Sequence, residues 1–374
     1  MLPAPRGRRL AIAVAALSIT LLPVTATAAD RRDDDTNRDG ATQPYRDAAA
    51  KFGGRGSEGP VVPDPTSLFL GYDGGIYSKA GWTVKGRRGA VYLGEEFDSA
   101  CLTGDKFKHS LKRVANFAKI IRSSGRRVIF TVAPSKSAVY KRDLPLAKRM
   151  PHGSCDADGI KAQDKVLDTF KDPSYINLRS FLADQMKAKI PVYWTLDSHW
   201  TTLGSTQWGQ AVAYTLDPAI QKRQRYKKTR RTHIPDIAYV IGNMNVHETQ
   251  KALRTVTKVT STPDPGSPPY SVKTLTGFDL SWTTTPQRKV WPGRTLLMGD
   301  SFTYLGMESL IPLFNHGRFM WTGHVDNTDL IQGIVESDTV VIEVAQRYVA
   351  TSLLGDPATQ LALTLALAAS PKAS

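Results

Sequence analysis

Helical and strand-like hydrophobic patterns alternate along this chain. Between 107 and 121 the apolar residues fall at 107, 111, 114, 117, 120 and 121, which is one buried stripe of a helix. After the Ser123-Ser124-Gly125 break, residues 127–133 form an apolar, β-branched run of strand length. A helix that ends in glycine and feeds such a run is the grammar of an α/β sheet. The same reading predicts helices over 160–170, 180–189 and 203–216, a short strand at 175–178 and a closing strand at 339–344. Residues 361–369 are too few to cross a bilayer and predict a terminal helix docked on the domain. The sharpest local pattern is at 294–302. A buried strand runs straight into Gly299-Asp300-Ser301, and Tyr304, Leu305, Met307, Leu310, Ile311 and Leu313 follow at helical spacing. A strand that turns abruptly into a helix leaves the turn residue at the sheet's carboxyl edge, beside unpaired backbone N–H groups. Ser301 occupies that place. It is a candidate nucleophile if a base reaches it, and its own N–H is a candidate oxyanion donor. The plainer alternative is that Asp300 or Ser301 only caps the helix.

A base is in prospect at Asp197-Ser198-His199-Trp200-Thr201. Asp and His two apart in a turning segment share one side, so the carboxylate reaches one imidazole nitrogen and leaves the other facing outward. Of the seven histidines, only His199 has an aspartate two residues before it. Trp200 is expected to wall the imidazole, with Thr201 and Asp300 supporting the site. Strand ends carrying Ser301 and a loop carrying Asp197 and His199 would meet at one sheet edge, where open α/β sheets bind ligands.

Asp197-Ser198-His199-Trp200-Thr201 together with Gly299-Asp300-Ser301-Phe302 resembles the SGNH-hydrolase-like proteins of the AlgX/AlgJ type, exported alginate O-acetyltransferases. Weaker likenesses accompany these two blocks. Val84 to Gly94 is similar to an early "G-x-x-G-W-L-F" strand, with Ala90 where Trp is usual. Pro134, Lys136, Tyr140, Leu144 and Pro145 are similar to "P-x-P-x-K…Y…L-P", and Ile234-Pro235-Asp236-Ile237-Ala238 to "G-D-L-A". The run 340–347 is similar to a closing strand ending in Glu-Arg, here Gln346-Arg347. The departures at Ala90 and Gln346 leave the subfamily, and so the substrate, open. The resemblance implies an α/β, SGNH-hydrolase-like three-layer domain with a mainly parallel central sheet. It also implies a serine-dependent O-acyltransferase, with acetyl as the expected group, acting on hydroxyls of an extracellular or cell-wall polysaccharide. A membrane-bound acyltransferase as the source of the acyl group is implied in the same way. A secreted carbohydrate esterase with the same three residues, or a glycan-binding domain with a vestigial triad, remain as alternatives.

Composition adds the setting. Residues 1–28 read as a secretory signal: Arg6, Arg8 and Arg9, then an apolar stretch, then Ala26-Thr27-Ala28. Residues 29–60, rich in Asp, Arg and Gly, predict a tether without a core, leaving 61–374 as the catalytic domain. In an exported chain the two cysteines, Cys101 and Cys155, are most simply one disulfide. The sequence holds no Cys-x-x-Cys and no His-Glu-x-x-His, so neither a metal nor another cofactor is expected.

The net charge is +15; removing 1–28 takes away three arginines and no acids, leaving 46 basic against 34 acidic side chains, or +12. Such a chain is drawn to an anionic envelope or polymer, and no nucleic-acid motif is present. Lys222, Arg223, Arg225, Lys227, Lys228, Arg230 and Arg231 cluster in one run, expected to be either a solvated loop or a glycan-binding patch. The run belongs to a basic, Pro-rich insertion at about 217–291, of which 256–291 reads as a long loop. For Trp282 and Trp291 core packing is preferred to sugar stacking.

Overall fold

The computed structural model describes residues 76–78, 81–102, 104–240, 243, 245–270 and 278–370. The expected signal at 1–28 and tether at 29–60 lie outside the described residues. Three short strands, β1 (Ile76–Ser78), β2 (Gly81–Lys85) and β3 (Val91–Leu93), form a small antiparallel sheet. The central sheet is built from β4 (Arg127–Ala133), β5 (Tyr175–Ile176), β8 (Thr260–Pro263), β9 (Asp279–Thr285), β10 (Trp291–Gly299), β11 (Phe314–Trp321) and β12 (Thr339–Ala345). A separate hairpin pairs β6 (Tyr226–His233) with β7 (Glu248–Thr255).

The central order is β5-β4-β12-β10-β11-β9-β8. The first five strands run parallel, and β9 and β8 are antiparallel additions at one edge. The middle strands are apolar on both faces because helices cover both, as parallel sheets require. Leu297, Val341 and Ile129 face one layer, formed by the helices Leu178–Lys187, Thr202–Leu216 and Ser301–Leu310. Leu296, Met298 and Ile342 face the other, formed by Gly104–Ser123, Asn327–Glu336 and Pro357–Ala368. The three-layer α/β fold expected from the sequence is therefore present. Leu297 is fully buried between layers, so truncation to alanine should cost about 2–5 kcal/mol in a denaturant titration.

Several boundaries differ from the sequence reading, each for a local reason. The helix expected from 160 begins at Ser154. Its first turns bury Asp156 and Gly159, and a Cβ on Gly159 would lie 1.6 Å from the Ala100 carbonyl oxygen, so small and polar residues hide the helical stripe. The segment from Val84 to Gly94 is a hairpin, turned at Arg88 and Gly89 with φ of 54° and 78°, and not one strand. The basic run is not a loop. Lys222 and Arg223 end the helix Pro218–Arg223, and Lys227 to Arg231 lie in β6, whose polar faces gave no alternating signal. Residues 256–291 carry β8 and β9, where Leu280, Trp282 and Thr284 alternate inward beside a distracting proline cluster.

The expected bond between Cys101 and Cys155 is present, with the Cα atoms 5.3 Å apart. The terminal helix docks through Leu363 and Leu367. Among the described residues no helix is long and apolar enough to cross a membrane.

Candidate active site

The position of Ser301 follows from how β10 ends. Gly299 closes the strand where a Cβ would meet the Thr303 hydroxyl at 1.9 Å, so only glycine permits the turn. Asp300 then caps the helix Ser301–Leu310, its carboxylate accepting the Phe302 N–H at 2.9 Å and the Ala345 N–H at 2.9 Å. The capping role is thus taken by Asp300, and Ser301 is the first helical residue. Its N–H has no acceptor within the helix, which suits an oxyanion donor.

The Asp-His segment is a tight loop pinched by the Tyr193–Trp200 bridge. The Trp194 N–H reaches the His199 carbonyl at 3.3 Å, and the Thr201 N–H reaches the Val192 carbonyl at 2.9 Å. Thr201 caps the next helix, accepting from the Leu203 and Gly204 N–H groups. Trp200 is buried, donates to the Phe302 carbonyl at 3.1 Å and meets the Phe302 ring edge-on. The Phe302 ring in turn lies 4.9 Å from the His199 ring, so Trp200 backs the imidazole through Phe302.

Three side chains join in one line. His199 Nε2 is 2.7 Å from Ser301 Oγ, and His199 Nδ1 is 2.7 Å from Asp197 Oδ1. An ionised carboxylate only accepts, so Nδ1 carries the proton and Nε2 of the neutral ring accepts from the serine hydroxyl. Asp197 takes four donors in all. Oδ1 accepts the His199 N–H and Nδ1–H; Oδ2 accepts His233 Nε2–H and the Asp236 N–H, each at 2.7 Å. Burial alone would favour the acid form of Asp197, but the two imidazoles beside it hold its carboxyl well below the usual range. Burial likewise opposes the His199 cation; the Asp197 charge outweighs it and raises the imidazole above its ordinary value.

Residues that carried no role in the sequence reading complete this cradle. Lys136 is fully buried and donates to the carbonyls of Val91 and Thr195 at 2.6 Å and of Asp197 at 3.2 Å, tying β3 to the loop. Burial lowers its pKa to about 8. Glu248 accepts the Thr195 and Leu196 N–H groups at 2.7 Å. Asp236 accepts the Ser198 N–H at 3.0 Å, and burial together with the neighbouring Asp197 charge raises its pKa. Beneath Ser301, Glu343 Oε2 accepts the Asp300 N–H at 3.2 Å and the Thr303 hydroxyl at 2.8 Å. Burial and the Asp300 charge push Glu343 well above the usual carboxyl range. Asp197 also takes a second imidazole, that of His233, which arrives 36 residues downstream of Asp197. Its only signal in sequence was its place just before the segment at 234–238.

The line opens into a cleft of about 620 Å³, walled by Ile234, Leu305, Trp321, His324, Tyr348 and Leu353. Of the basic run, Lys227, Lys228 and Arg230 are exposed on the hairpin, while Arg231 is drawn to Glu308 at 3.4 Å. The hairpin's far end is His233, inside the cleft. Trp282 is buried in the core, and Trp291 donates to Thr339 at 2.9 Å under the Arg127 guanidinium. Asp197, His199 and Asp236 are also near enough to share a cation, but their facing atoms are already engaged with one another and with Ser198. Cys101 and Cys155, the other such cluster among the described residues, offer no thiolate because they are bonded.

The family model described as "SGNH hydrolase-like domain, acetyltransferase AlgX" matches residues 83–275, just over half of the chain. The chain belongs to this family. The match takes in Asp197, His199, His233 and Asp236 and ends before Ser301. No curated protein matches the chain in sequence. Among solved structures, Bacillus cereus PatB1 with a sulfonyl adduct is similar at 14% identity, covering 68% of this chain and 93% of that one, with a TM-score of 0.48. The O-acetyltransferase domain of Pseudomonas putida AlgJ is similar at 16% identity over 76% and 98%, with a TM-score of 0.44. Pseudomonas aeruginosa AlgX is similar at 14% identity over 75% and 65%, with a TM-score of 0.41.

Proposed function

We propose that this AlgX-family domain is a serine-dependent O-acyltransferase, transferring in the first instance acetyl groups to hydroxyls of an extracellular or cell-wall polysaccharide. The observation that carries the reading is the unbroken hydrogen-bonded line from Asp197 through His199 to Ser301. In this reading His199 takes the proton from Ser301 as its Oγ attacks the acyl carbonyl of an ester or thioester donor. The carbonyl oxygen becomes an oxyanion facing the Ser301 N–H. The tetrahedral intermediate collapses as His199 returns the proton to the departing alcohol or thiol. Asp197 holds the imidazolium that forms in between and keeps its tautomer. In the second half a sugar hydroxyl gives its proton to His199 as it attacks the acyl-serine carbonyl; the bond from the acyl carbon to Ser301 Oγ then breaks, His199 returns the proton to Oγ, and the O-acylated glycan leaves.

The acceptor in this reading is an anionic polymer. It is favoured by the exposed cations Lys222, Arg223, Arg225, Lys227, Lys228 and Arg230 on and before a hairpin whose end enters the cleft. The chain would act outside the cytoplasm, with 1–28 as its signal and 29–60 as a tether, and would receive acyl groups from a membrane-bound acyltransferase.

The test incubates purified protein with a chromogenic acetyl ester, with and without candidate glycans. Acetylated glycan, formed with wild type and absent with S301A, is the expected product. Acetate release that no glycan alters would make the protein an esterase, and S301A with undiminished function in the cell would make it a binder.

A further inference from the structure

We propose that His233 is a positioning residue of the same reaction: it fixes the Asp197 carboxylate so that Asp197, and not Asp236, orients the His199 imidazole. The inference rests on the acyl-serine reading above. His233 Nε2 donates to Asp197 Oδ2 at 2.7 Å, and its ring is stacked on Trp194 with centroids 5.0 Å apart and planes 28° from parallel. The stacked ring cannot turn away without losing that contact, so the donor is fixed in space. With the Asp236 N–H it fills both acceptor directions of Oδ2, which leaves Oδ1 aimed at His199. A rival acceptor stands close: Asp236 Oδ2 lies 3.6 Å from the same His199 Nδ1. If Asp197 were free to swing, the imidazole proton would have two carboxylates to choose between, and Nε2 would turn from Ser301. A displacement of about 1 Å in such a group costs on the order of a hundredfold in rate.

The charges around this pair are mixed. Asp197 and Asp236 face His199 on the loop side, Arg347 acts on it from beyond β12, and Glu248 is opposite His233 across the hairpin. Arg231 precedes His233 on its own strand, and the Lys136 ammonium acts on Asp197. Removing the His233 donor leaves more of the Asp197 charge to His199. That favours the imidazolium and moves the acid limb of reactivity to higher pH.

The experiment measures sulfonylation of Ser301 by phenylmethanesulfonyl fluoride, followed by intact mass against pH, together with the low-field proton resonance of His199 Nδ1–H. Wild type should be labelled and S301A should not. His233→Phe should label about ten- to a hundredfold more slowly, with its acid limb shifted upward and the His199 resonance weakened or moved. His233→Gln, whose amide can donate, should recover most of the rate. Should the phenylalanine variant not fold, His233→Ala with added imidazole replaces it, and recovery on imidazole addition is the supporting result. A folded H233F labelled at the wild-type rate with an unmoved limb overturns the proposal, as does H233Q no faster than H233F, or no recovery with imidazole. If wild type itself is not labelled, the acyl-serine reading falls. The His199 resonance then decides alone: changed in H233F it supports the positioning role, and unchanged it refutes it.

Discussion

Two buried carboxylate clusters flank Ser301 and differ in charge. On the loop side Asp197 has four donors and two imidazoles, and it ionises far below the usual range. On the sheet side Glu343 has two donors on one oxygen, none on the other, and the Asp300 carboxylate beside it, and it stays protonated well above that range. Both are essentially inaccessible to water, so depth does not separate them. The supply of donors and the sign of the neighbours do. In the proposed reaction the first cluster would provide the fixed negative charge that His199 needs as a general base. The other makes a neutral floor under the Ser301 turn, where a second full charge beside Asp300 would be costly.

Variants that exchange these properties should have effects of graded size. Asp197→Asn presents an amide where four donors point, so turnover of a small acetyl ester should fall on the order of a thousandfold or more, read as kcat. Lys136→Met strips the donor from three carbonyls, one of them fully buried, and should cost about 2 kcal/mol in a urea titration, with ester turnover falling as the Asp-His loop loosens. The pH profile should show activity lost on the acid side, as His199 takes a proton at a pH above the ordinary histidine value of 6.5.

Glu343→Gln sharpens the contrast through stability. A carboxyl whose folded pKa is raised favours the fold fully below its unfolded value, and that advantage is lost as pH rises. Thermal melts of E343Q should therefore gain on wild type steadily as pH rises from 5 to 9. Asp197 has the opposite sign: its contribution is present above the unfolded carboxyl value and lost as pH falls through the depressed folded one. The smallest change is expected from Lys227→Ala, Lys228→Ala and Arg230→Ala together, exposed residues of the hairpin outside both clusters. Turnover of a small ester should be unchanged, while KM for an anionic glycan acceptor rises several-fold and loses part of its salt dependence.

The layers were legible because buried parallel strands and amphipathic helices write themselves in apolar residues, as 127–133, 294–298 and 107–121 do. The positions of Asp197, His199 and Ser301 were legible because a tight loop and a strand-to-helix turn each need a short fixed pattern. What escaped is built from single polar side chains with no local pattern. His233 is one histidine at the end of a polar strand, and only the hairpin's fold brings it to Asp197. Lys136 stood in the likeness at 134–145 and Glu343 in the closing strand without a role for either side chain, and only their carbonyl and N–H partners explain their burial. The strands at 260–263 and 279–285 were lost behind prolines that end a loop without preventing the sheet from resuming.

The claim that Ser301 carries the acyl group is tested most directly by intact-protein and peptide mass spectrometry after brief exposure to a chromogenic acetyl ester. The account predicts one added acetyl group on the Ser301 peptide, absent in S301A, long-lived in H199A once formed, and discharged from wild type when an acceptor glycan is added. No adduct on wild type, or the same adduct on S301A, would contradict it.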